Sequence, residues 1–201
     1  MTVWNQRYSS EEYAFGKEPN VYFKSVIDHH PPGKLLVPGA GEGRDAVYAA
    51  TLGWEVFAFD ASDIGQGKAL RLARDKGVSV NYEVSDAAHF DFSQDQYDMI
   101  AMTFFHLPVD LRRHFFGNLY QTLKPEGIVV VEAFNPLQLN YSSGGPKDIN
   151  MLLTKEILEA ELKHIKCIQC YEQRVTLNEG AFHQGQAEVL RFTGRRLPLS
   201  V

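Results

Sequence analysis

The 201-residue chain has the length of one ordinary domain, and its 44% apolar and 22% charged residues are typical of a globular protein. No apolar run approaches the roughly eighteen residues of a membrane span, and the N-terminal sequence lacks the basic and apolar regions of a signal peptide, so we expect a single cytoplasmic domain, residues 1–201, without a membrane partner. The formal net charge of −5, without a basic run, argues against nucleic acid as the main partner because phosphate binding needs a concentrated positive surface.

The first thirty residues are a dense mixture of aromatic and polar residues without long periodicity, among them Trp4, Arg7, Tyr13 and Phe15. This concentration exceeds what a plain tail needs, so we expect residues 1–30 to fold over a ligand as a lid. The alternative is an arm that packs permanently on the surface of the domain.

Residues 35–53 predict a strand, a tight turn and a helix. An apolar run enters a turn with glycine at 39, 41 and 43, and a helical pattern leaves the turn and stops at Gly53. Glycines permit positive φ and a close approach of the backbone to a ligand, while the free N–H groups of the helix start point into the same space. The turn is a candidate nucleotide cradle, although glycines also serve ordinary turns.

A second strand, residues 55–60, ends in Asp60 about twenty residues after the first glycine of the turn. In dinucleotide-binding folds an acid at this place binds the ribose hydroxyls. Asp60 can also cap the helix that the sequence predicts for residues 63–76, as any aspartate can. The glycine-rich turn upstream favours ribose binding.

Three more strands are predicted at 78–84, 97–104 and 128–134, with a helix after Pro108 whose apolar residues share one face. Strands that alternate with helices predict a parallel sheet with helices on both faces.

The pattern changes after the fifth strand. A polar loop at 135–150 precedes a helix at about 154–164, and two strand-like runs at 165–177 and 187–194 follow without a helix between them. Such strands must pair antiparallel. The predicted fold is α/β, a doubly wound, mostly parallel seven-stranded sheet with an antiparallel C-terminal hairpin.

Cys167 and Cys170 have the spacing of redox and zinc sites. They lie in a predicted strand, where residues three apart point to opposite faces, and no second cysteine pair exists in the sequence to complete a zinc site. We expect structural cysteines whose thiols diverge, and no bound metal.

This arrangement of strands, glycine-rich turn and acids resembles the class I S-adenosylmethionine-dependent methyltransferases over nearly the whole chain. The turn at 39–43 looks like their first motif, Asp60 like the ribose-binding acid, and Asp86-Ala87 like the pair that meets the adenine. Residues 97–100 and 123–127 look like the signatures of their fourth and fifth strands, so the resemblance implies a Rossmann-like methyltransferase fold.

Four short motifs are more narrowly similar to the tellurite-resistance and thiopurine methyltransferase group. They are Trp-Asn-x-Arg-Tyr at 4–8, Phe-Gly-x-Glu-Pro-Asn at 15–20, Gly-Gly-Pro-Lys-Asp at 144–148 and Phe-His-Gln-Gly at 182–185. One feature departs from the family. Its members often have an acid near the end of the first strand, where this chain has Val37-Pro38. Another residue must therefore make any contact that this acid makes to the methionine amino group.

The resemblance implies that a monomer or homodimer transfers a methyl group from S-adenosylmethionine to a small soft acceptor, a thiol or a chalcogen oxyanion, with S-adenosylhomocysteine as product. A nicotinamide-dependent oxidoreductase is the competing interpretation, but its Gly-x-Gly-x-x-Gly fingerprint needs a glycine where this chain has Arg44. A non-catalytic binder of S-adenosylmethionine is a third interpretation. The polar loop and the histidine-bearing connector beyond the fifth strand suit a substrate site and favour the enzyme.

Two histidines are candidate catalytic residues. His106 follows the fourth strand, at the ligand edge of a parallel sheet, but can equally bond the backbone of its own turn. His183 lies in the connector between the last two strands and can take a proton from a thiol or, when charged, hold an oxyanion. Its alternative role is that of an ordinary loop residue.

The expected cofactor-binding residues come from the turn, from the ends of the strands and from the N-terminal segment. Arg44 permits contact with a carboxylate or remains a solvated charge, and Asp86 can be a turn residue only. Aromatic faces near the methyl group, those of Phe104, Tyr13 or Phe15, can stabilise its positive charge. The full set is Gly39, Ala40, Gly41, Arg44, Asp60, Ala61, Ser62, Asp86, Ala87, Thr103, Phe104, Trp4, Arg7, Tyr13 and Phe15.

Overall fold

The computed structural model of the chain describes residues 3–92 and 96–198, and its strands form one seven-stranded sheet. The strands are β1 Lys34–Pro38, β2 Glu55–Asp60, β3 Asn81–Val84, β4 Tyr97–Thr103, β5 Leu123–Phe134, β6 Ile165–Asn178 and β7 Gln184–Arg196. Their order in the sheet is β3-β2-β1-β4-β5-β7-β6. Strands β1 to β5 run parallel, and β7 pairs antiparallel with both β5 and β6. The predicted mostly parallel sheet with an antiparallel C-terminal hairpin is confirmed.

Helices cover both faces of the sheet. They are α1 Val3–Arg7, α2 Val21–Ile27, α3 Arg44–Thr51, α4 Asp63–Asp75, α5 Val109–Thr122 and α6 Lys155–Glu161, with 3-10 turns at Pro136–Asn140 and Ile149–Met151. One apolar cluster joins the sheet to α2, α3 and α4, and a second joins it to α5 and α6. In β1, Leu35 and Val37 enter the first cluster and Leu36 the second, which explains the continuous apolar run of this strand. Among the described residues, no helix has the length and apolar character needed to cross a membrane.

The strand order positions the functional site. The chain moves from β1 outward to β2 and β3, and then returns across β1 to β4 and β5, so the strand order reverses between β1 and β4. In open parallel sheets ligands bind in the crevice outside the carboxyl ends of the strands at such a reversal. The loop at residues 39–43 lies at this place.

Several strand boundaries differ from the sequence prediction: β7 extends beyond the predicted 187–194 at both ends, and β5 and β3 begin elsewhere. Strand β5 begins at Leu123 because the predicted turn is absorbed as an irregularity of the strand, where Glu126 has a φ of 65° and the pairing with β4 shifts register. Strand β3 begins at Asn81 and not at Val78, since the preceding residues follow the end of α4 without strand pairing.

The two cysteines lie on one face of β6, and the expectation that their thiols diverge is wrong. Ile168 is an extra residue that pairs with nothing on β7, because the register shifts between Cys167 and Gln169. This β-bulge resets the alternation of side chains, and both thiols pack against the cluster below α5 and α6. Burial raises the pKa of both thiols, that of Cys170 to about 11, which keeps them protonated and poorly nucleophilic.

Replacement of Phe115 by alanine should strongly destabilise the fold. Phe115 is fully buried in α5, and its ring lies 5.3 to 6.1 Å from the rings of Phe59, Phe92 and Phe105. We expect a loss of about 3–5 kcal/mol in the free energy of unfolding, measured by urea denaturation followed by circular dichroism. Leu137→Ala is the control, since Leu137 is 53% exposed. It should change this free energy by less than about 0.5 kcal/mol, and equal losses for both variants would contradict the assigned core.

Candidate active site

A cavity of about 420 Å³ lies where the loops after β1, β2, β4 and β5 meet the N-terminal segment and the connector before β7. Its volume is within the range of small-molecule sites. The wall of the cavity contains both polar and aromatic side chains, among them Tyr8, Phe15, Arg44, Asp45, Asp60, Thr103, Phe104, Phe134, Met151 and His183.

Asp60 joins two loops at this cavity. Its Oδ2 accepts a hydrogen bond from the Gly41 N–H at 3.0 Å, and its Oδ1 accepts one from the Ser62 N–H at 2.9 Å. Burial raises the pKa of the Asp60 carboxyl. The N-cap of α4 is Ser62, whose hydroxyl accepts from the Gly65 N–H, so capping does not occupy Asp60. The carboxylate therefore organises the glycine-rich turn and also lines the cavity.

The N-terminal segment lies across the mouth of the cavity. Trp4, Arg7, Tyr8 and Phe15 line it, and the Arg7 guanidinium lies 4.4 Å from the centre of the Phe182 ring. Helix α2 differs from this segment because it buries three side chains in the core. Residues 21–27 of the expected lid therefore belong to the core of the domain.

A buried ion pair fastens this segment. Glu42 pairs with Lys68, and its Oε2 accepts a hydrogen bond from the Ala14 N–H at 2.7 Å. The Lys68 ammonium also donates to the carbonyls of Ser10 and Glu12, at 2.9 and 2.7 Å. Residues 10–14 are thus bound to the loop after β1 and to α4 at the same time.

His183 is 5% exposed and lies in an aromatic enclosure. The centres of the Phe15 and Phe104 rings are each 4.5 Å from that of the imidazole. His183 Nδ1 lies 3.2 Å from Glu179 Oε2, which also accepts from Arg44 Nη2 at 3.1 Å. Burial lowers the pKa of His183, and Glu179 opposes this shift. A neutral imidazole that donates Nδ1–H to Glu179 has Nε2 free to act as a base.

Two glycines allow these contacts. A Cβ on Gly144 would lie 2.6 Å from His183 Cδ2, so the loop after β5 can reach the imidazole only with glycine here. A Cβ on Gly180 would lie 2.5 Å from the Ala14 carbonyl oxygen and from the Gly16 nitrogen. The connector and the N-terminal segment therefore touch through their backbones, which explains the glycines of the sequence motifs at 15–20 and 144–148.

His106 lines the cavity but has both ring nitrogens bound within the protein. Its Nδ1 lies 2.8 Å from the Met151 carbonyl oxygen, and its Nε2 accepts the Phe134 N–H at 3.2 Å. Burial lowers the pKa of His106 to about 4, so the ring is neutral. This geometry favours a role in holding the loops after β4 and β5 together over the predicted catalytic role.

Most of the predicted site residues meet at the cavity. Tyr13 and Ser62 do not, because the Tyr13 hydroxyl donates to the Lys68 carbonyl and the Ser62 hydroxyl caps α4. Asp86 is at the cavity, and it also closes its own turn by accepting from the Ala88 and His89 N–H groups. The predicted residues that line the cavity are Gly39, Ala40, Gly41, Arg44, Asp60, Ala61, Asp86, Ala87, Thr103, Phe104, Trp4, Arg7, Phe15, His106 and His183.

The sequence analysis missed Asp45 and Glu179. Asp45 lines the cavity and accepts hydrogen bonds from the Asn20 N–H at 2.7 Å and from the Thr103 hydroxyl at 2.5 Å. Glu179 lies four residues before His183, and this spacing was the available signal for the pair. Asp45 had a weaker signal, an acid in the first turn of the helix that follows the glycine-rich turn.

Part of the chain is similar to known methyltransferases. Residues 36–127 match the family model described as a methyltransferase domain. A ubiquinone biosynthesis O-methyltransferase of Rickettsia canadensis is 30% identical over 111 residues, 55% of this chain and 47% of that protein. Its counterpart in Rickettsia conorii is 26% identical over 153 residues, 71% of this chain and 53% of that protein. The chain thus spans about half the length of the curated relatives it matches.

Solved structures share the fold at low sequence identity. A structure described as the conversion of a disulfide bond into a thioacetal group during echinomycin biosynthesis has a TM-score of 0.79 and 15% identity, covering 98% of this chain and 89% of that one. TehB from Haemophilus influenzae has a TM-score of 0.70 and 17% identity, covering 87% and 61%. A TehB-like methyltransferase from Corynebacterium glutamicum has a TM-score of 0.61 and 18% identity, covering 88% and 89%.

The position of residues 3–20 leads to a prediction about their motion. We propose that they act as a lid, so amide hydrogen exchange in this segment should slow when S-adenosylhomocysteine is added. Lys68→Met removes the donor to Ser10 and Glu12 and should speed exchange at residues 10–14. Lys17→Met is the control, because Lys17 contacts only the exposed side of the segment through the Tyr13 ring. Exchange that does not respond to the ligand would indicate permanent packing.

The site fits a cofactor that carries an adenosine. A buried carboxylate, Asp60, lies at the expected ribose position, the turn at 39–43 lines the same cavity, and apolar residues such as Ala87 and Leu107 form the wall next to Asp86. The match of residues 36–127 to a methyltransferase domain, the seven-stranded fold and this cavity together support a methyltransferase that uses S-adenosylmethionine as cofactor.

Proposed function

We propose that the chain transfers a methyl group from S-adenosylmethionine to a small soft acceptor, a thiol or a chalcogen oxyanion. The bound cofactor supplies a methyl group that its sulfonium already activates. The protein then has to align the acceptor, exclude water and accept a proton where the acceptor carries one. The observation that carries the proposal is His183, which lies in the cavity wall among aromatic rings and pairs with the mostly buried Glu179 behind it.

The surroundings of His183 suit a soft acceptor. The Phe15, Phe104 and Phe134 rings lie 4.5 to 5.4 Å from the imidazole, and Met151 also lines the cavity. Apolar and polarizable walls favour a thiol sulfur, which is large and needs few hydrogen bonds. The aromatic faces also attract positive charge, which supports a sulfonium in the same cavity.

The protonation state of His183 supports a role as base. Because burial lowers its pKa below the ordinary 6.5, the imidazole is neutral near neutral pH and can take a proton through Nε2. Glu179 fixes the ring and stabilises the imidazolium that forms. Residues 3–20 cover the cavity and limit the access of water during the transfer.

A hydroxyl acceptor is the second candidate. The curated relatives are ubiquinone biosynthesis O-methyltransferases, and a neutral histidine base serves an oxygen nucleophile as well. The structural neighbour described by the conversion of a disulfide into a thioacetal supports sulfur chemistry on this fold. Turnover of a simple thiol, of tellurite or selenite, and of a catechol, measured side by side, discriminates between the two candidates.

Loss of the Asp60 carboxylate should weaken cofactor binding. If Asp60 accepts the ribose hydroxyls, Asp60→Ala removes one or two charge-assisted hydrogen bonds of about 1.5–3 kcal/mol each. Isothermal titration with S-adenosylhomocysteine measures this change, and Asp110→Asn, at an exposed site on α5, should bind as the wild type does. Unchanged affinity in a folded Asp60 variant would indicate that Asp60 does not bind the ribose and only holds the two loops together.

Replacement of His183 should separate catalysis from binding. We expect His183→Ala to bind S-adenosylhomocysteine normally and to lose about a hundredfold or more in turnover. In the wild type, turnover should fall as the pH drops through a pKa below 6.5, because the base must be unprotonated. Glu179→Gln removes the group that raises the pKa of His183, so this acidic limb should move to lower pH.

One outcome for His183→Ala would contradict the proposed role of His183 as a base. Turnover of His183→Ala within a few-fold of the wild type, with the acceptor that the wild type uses, would leave His183 as a packing residue of the connector. His106→Ala is not a suitable control, since its two hydrogen bonds hold adjacent loops. His89→Ala serves better, because His89 is exposed outside the acceptor side of the cavity.

A further inference from the structure

Five charged side chains form one connected cluster beside the cavity. They are Arg44, Asp45, Glu132, Glu179 and Arg191. Arg44 donates to Glu179 at 3.1 Å, and Arg191 donates to Glu132 at 2.6 Å. The Asn20 side chain connects Glu132 to Glu179, and its backbone N–H reaches Asp45.

This cluster is not electrically balanced. Three carboxylates face two guanidinium groups, and burial keeps the adjacent His183 neutral. One negative charge is left over in a setting where water screens it poorly. A cationic group of a ligand in the cavity would balance it.

Asp45 is the carboxylate of the cluster that forms no ion pair, although the nearby Arg44 guanidinium attracts it. Glu179 and Glu132 each pair with an arginine, and Glu132 is not part of the cavity wall. Asp45 lines the cavity, and it accepts hydrogen bonds from two neutral donors, the Asn20 N–H and the Thr103 hydroxyl. No lysine, arginine or histidine of residues 3–92 and 96–198 forms an ion pair with it. Burial raises the pKa of this carboxyl.

The other carboxylates at the cavity are already engaged. Glu42 pairs with Lys68 and holds the Ala14 N–H. Asp60 accepts two backbone N–H groups on the side expected for ribose, and Asp86 lies half exposed in its own turn. Among these residues, Asp45 alone combines deep burial and a place in the wall with the absence of a direct ion pair.

We infer that Asp45 binds the α-ammonium group of the methionine part of the cofactor. It would supply the contact for which β1, ending in Val37-Pro38, has no acid. This inference rests on the proposed function, because it needs S-adenosylmethionine as donor. Asp45 is then a positioning residue, held rigid by the Asn20 N–H and the Thr103 hydroxyl so that the ammonium meets an oriented carboxylate.

The test is a binding measurement that requires no acceptor. Wild type and Asp45→Asn are titrated with S-adenosylhomocysteine and with its analogue in which hydrogen replaces the amino group. Asparagine keeps the shape of the side chain. Its Oδ1 can still accept the Asn20 N–H, and its Nδ2 can donate to the Thr103 oxygen. We expect affinity for S-adenosylhomocysteine to fall tenfold to a hundredfold, and affinity for the analogue to change less than threefold.

Glu132→Gln is the matched control, because it removes one charge from the same cluster away from the cavity wall. Its preference for S-adenosylhomocysteine over the analogue should stay within threefold of the wild type. An equal loss of preference in Glu132→Gln and Asp45→Asn would overturn the inference, since it would show a general field and not a contact. Asp45→Ser repeats the test with a smaller side chain, and thermal melting checks that each variant is folded.

The outcomes separate the inference from the proposed function. If Asp45→Asn weakens both ligands by the same factor, or neither, the ammonium contact is overturned while S-adenosylmethionine remains the cofactor. If the wild type binds neither ligand, the proposed function fails and the inference fails with it. Selective loss of the amino-bearing ligand supports the inference.

Discussion

The Glu179 carboxylate is the interaction on which the site depends. Its Oε2 meets Arg44 at the start of α3 and His183 before β7, and its Oε1 accepts from Asn20 at the end of the N-terminal segment. Three stretches that are distant in sequence therefore converge on one side chain. With 12% of the side chain exposed, these contacts are little screened, so the carboxylate is held ionised and its pKa lies below the usual range. Without it, Arg44 and His183 would each be buried beside an unfilled partner position.

The same convergence explains why the cavity is enclosed. The connector that carries Glu179 and His183 touches the N-terminal segment through the Phe182 N–H, which donates to the Ala14 carbonyl, and Glu42 fixes Ala14 from the opposite side. Closing the cavity and orienting the imidazole thus use the same backbone contacts. A segment that opened would expose the aromatic enclosure of His183 and let water raise the pKa that burial lowers. Water exclusion and the basicity of His183 are therefore coupled properties of one packing arrangement.

Sequence patterns were sufficient to predict the fold and the meeting of the glycine-rich turn with Asp60 at the cavity, because both follow from local order. The glycine-rich turn and Asp60 lie next to each other by the geometry of parallel strands, whatever the rest of the chain does. The acceptor half depends on how the hairpin of β6 and β7 packs, so Glu179 could be found only through its spacing to His183. The β-bulge at Ile168 shows the same limit of sequence patterns. One inserted residue places Cys170 on the same face of the strand as Cys167, and the periodicity of the sequence does not predict this insertion. Asp45 was hidden because the contacts that orient it come from Asn20 and Thr103, which are remote in sequence.

Arg44 shows how one position separates this site from that of a nicotinamide-dependent enzyme. The dinucleotide fingerprint needs glycine there so that the helix can approach the strand below a pyrophosphate. In this chain the side chain at that position crosses to the other end of the cavity, where it donates to the Phe15 carbonyl at 3.0 Å and to Glu179 at 3.1 Å. The residue that would obstruct a pyrophosphate instead connects residues 3–20 to Glu179, the partner of the proposed base His183. The departure from the fingerprint is thus a structural feature of this site, since replacing Arg44 by glycine would remove the guanidinium that contacts both Glu179 and the residue 3–20 segment.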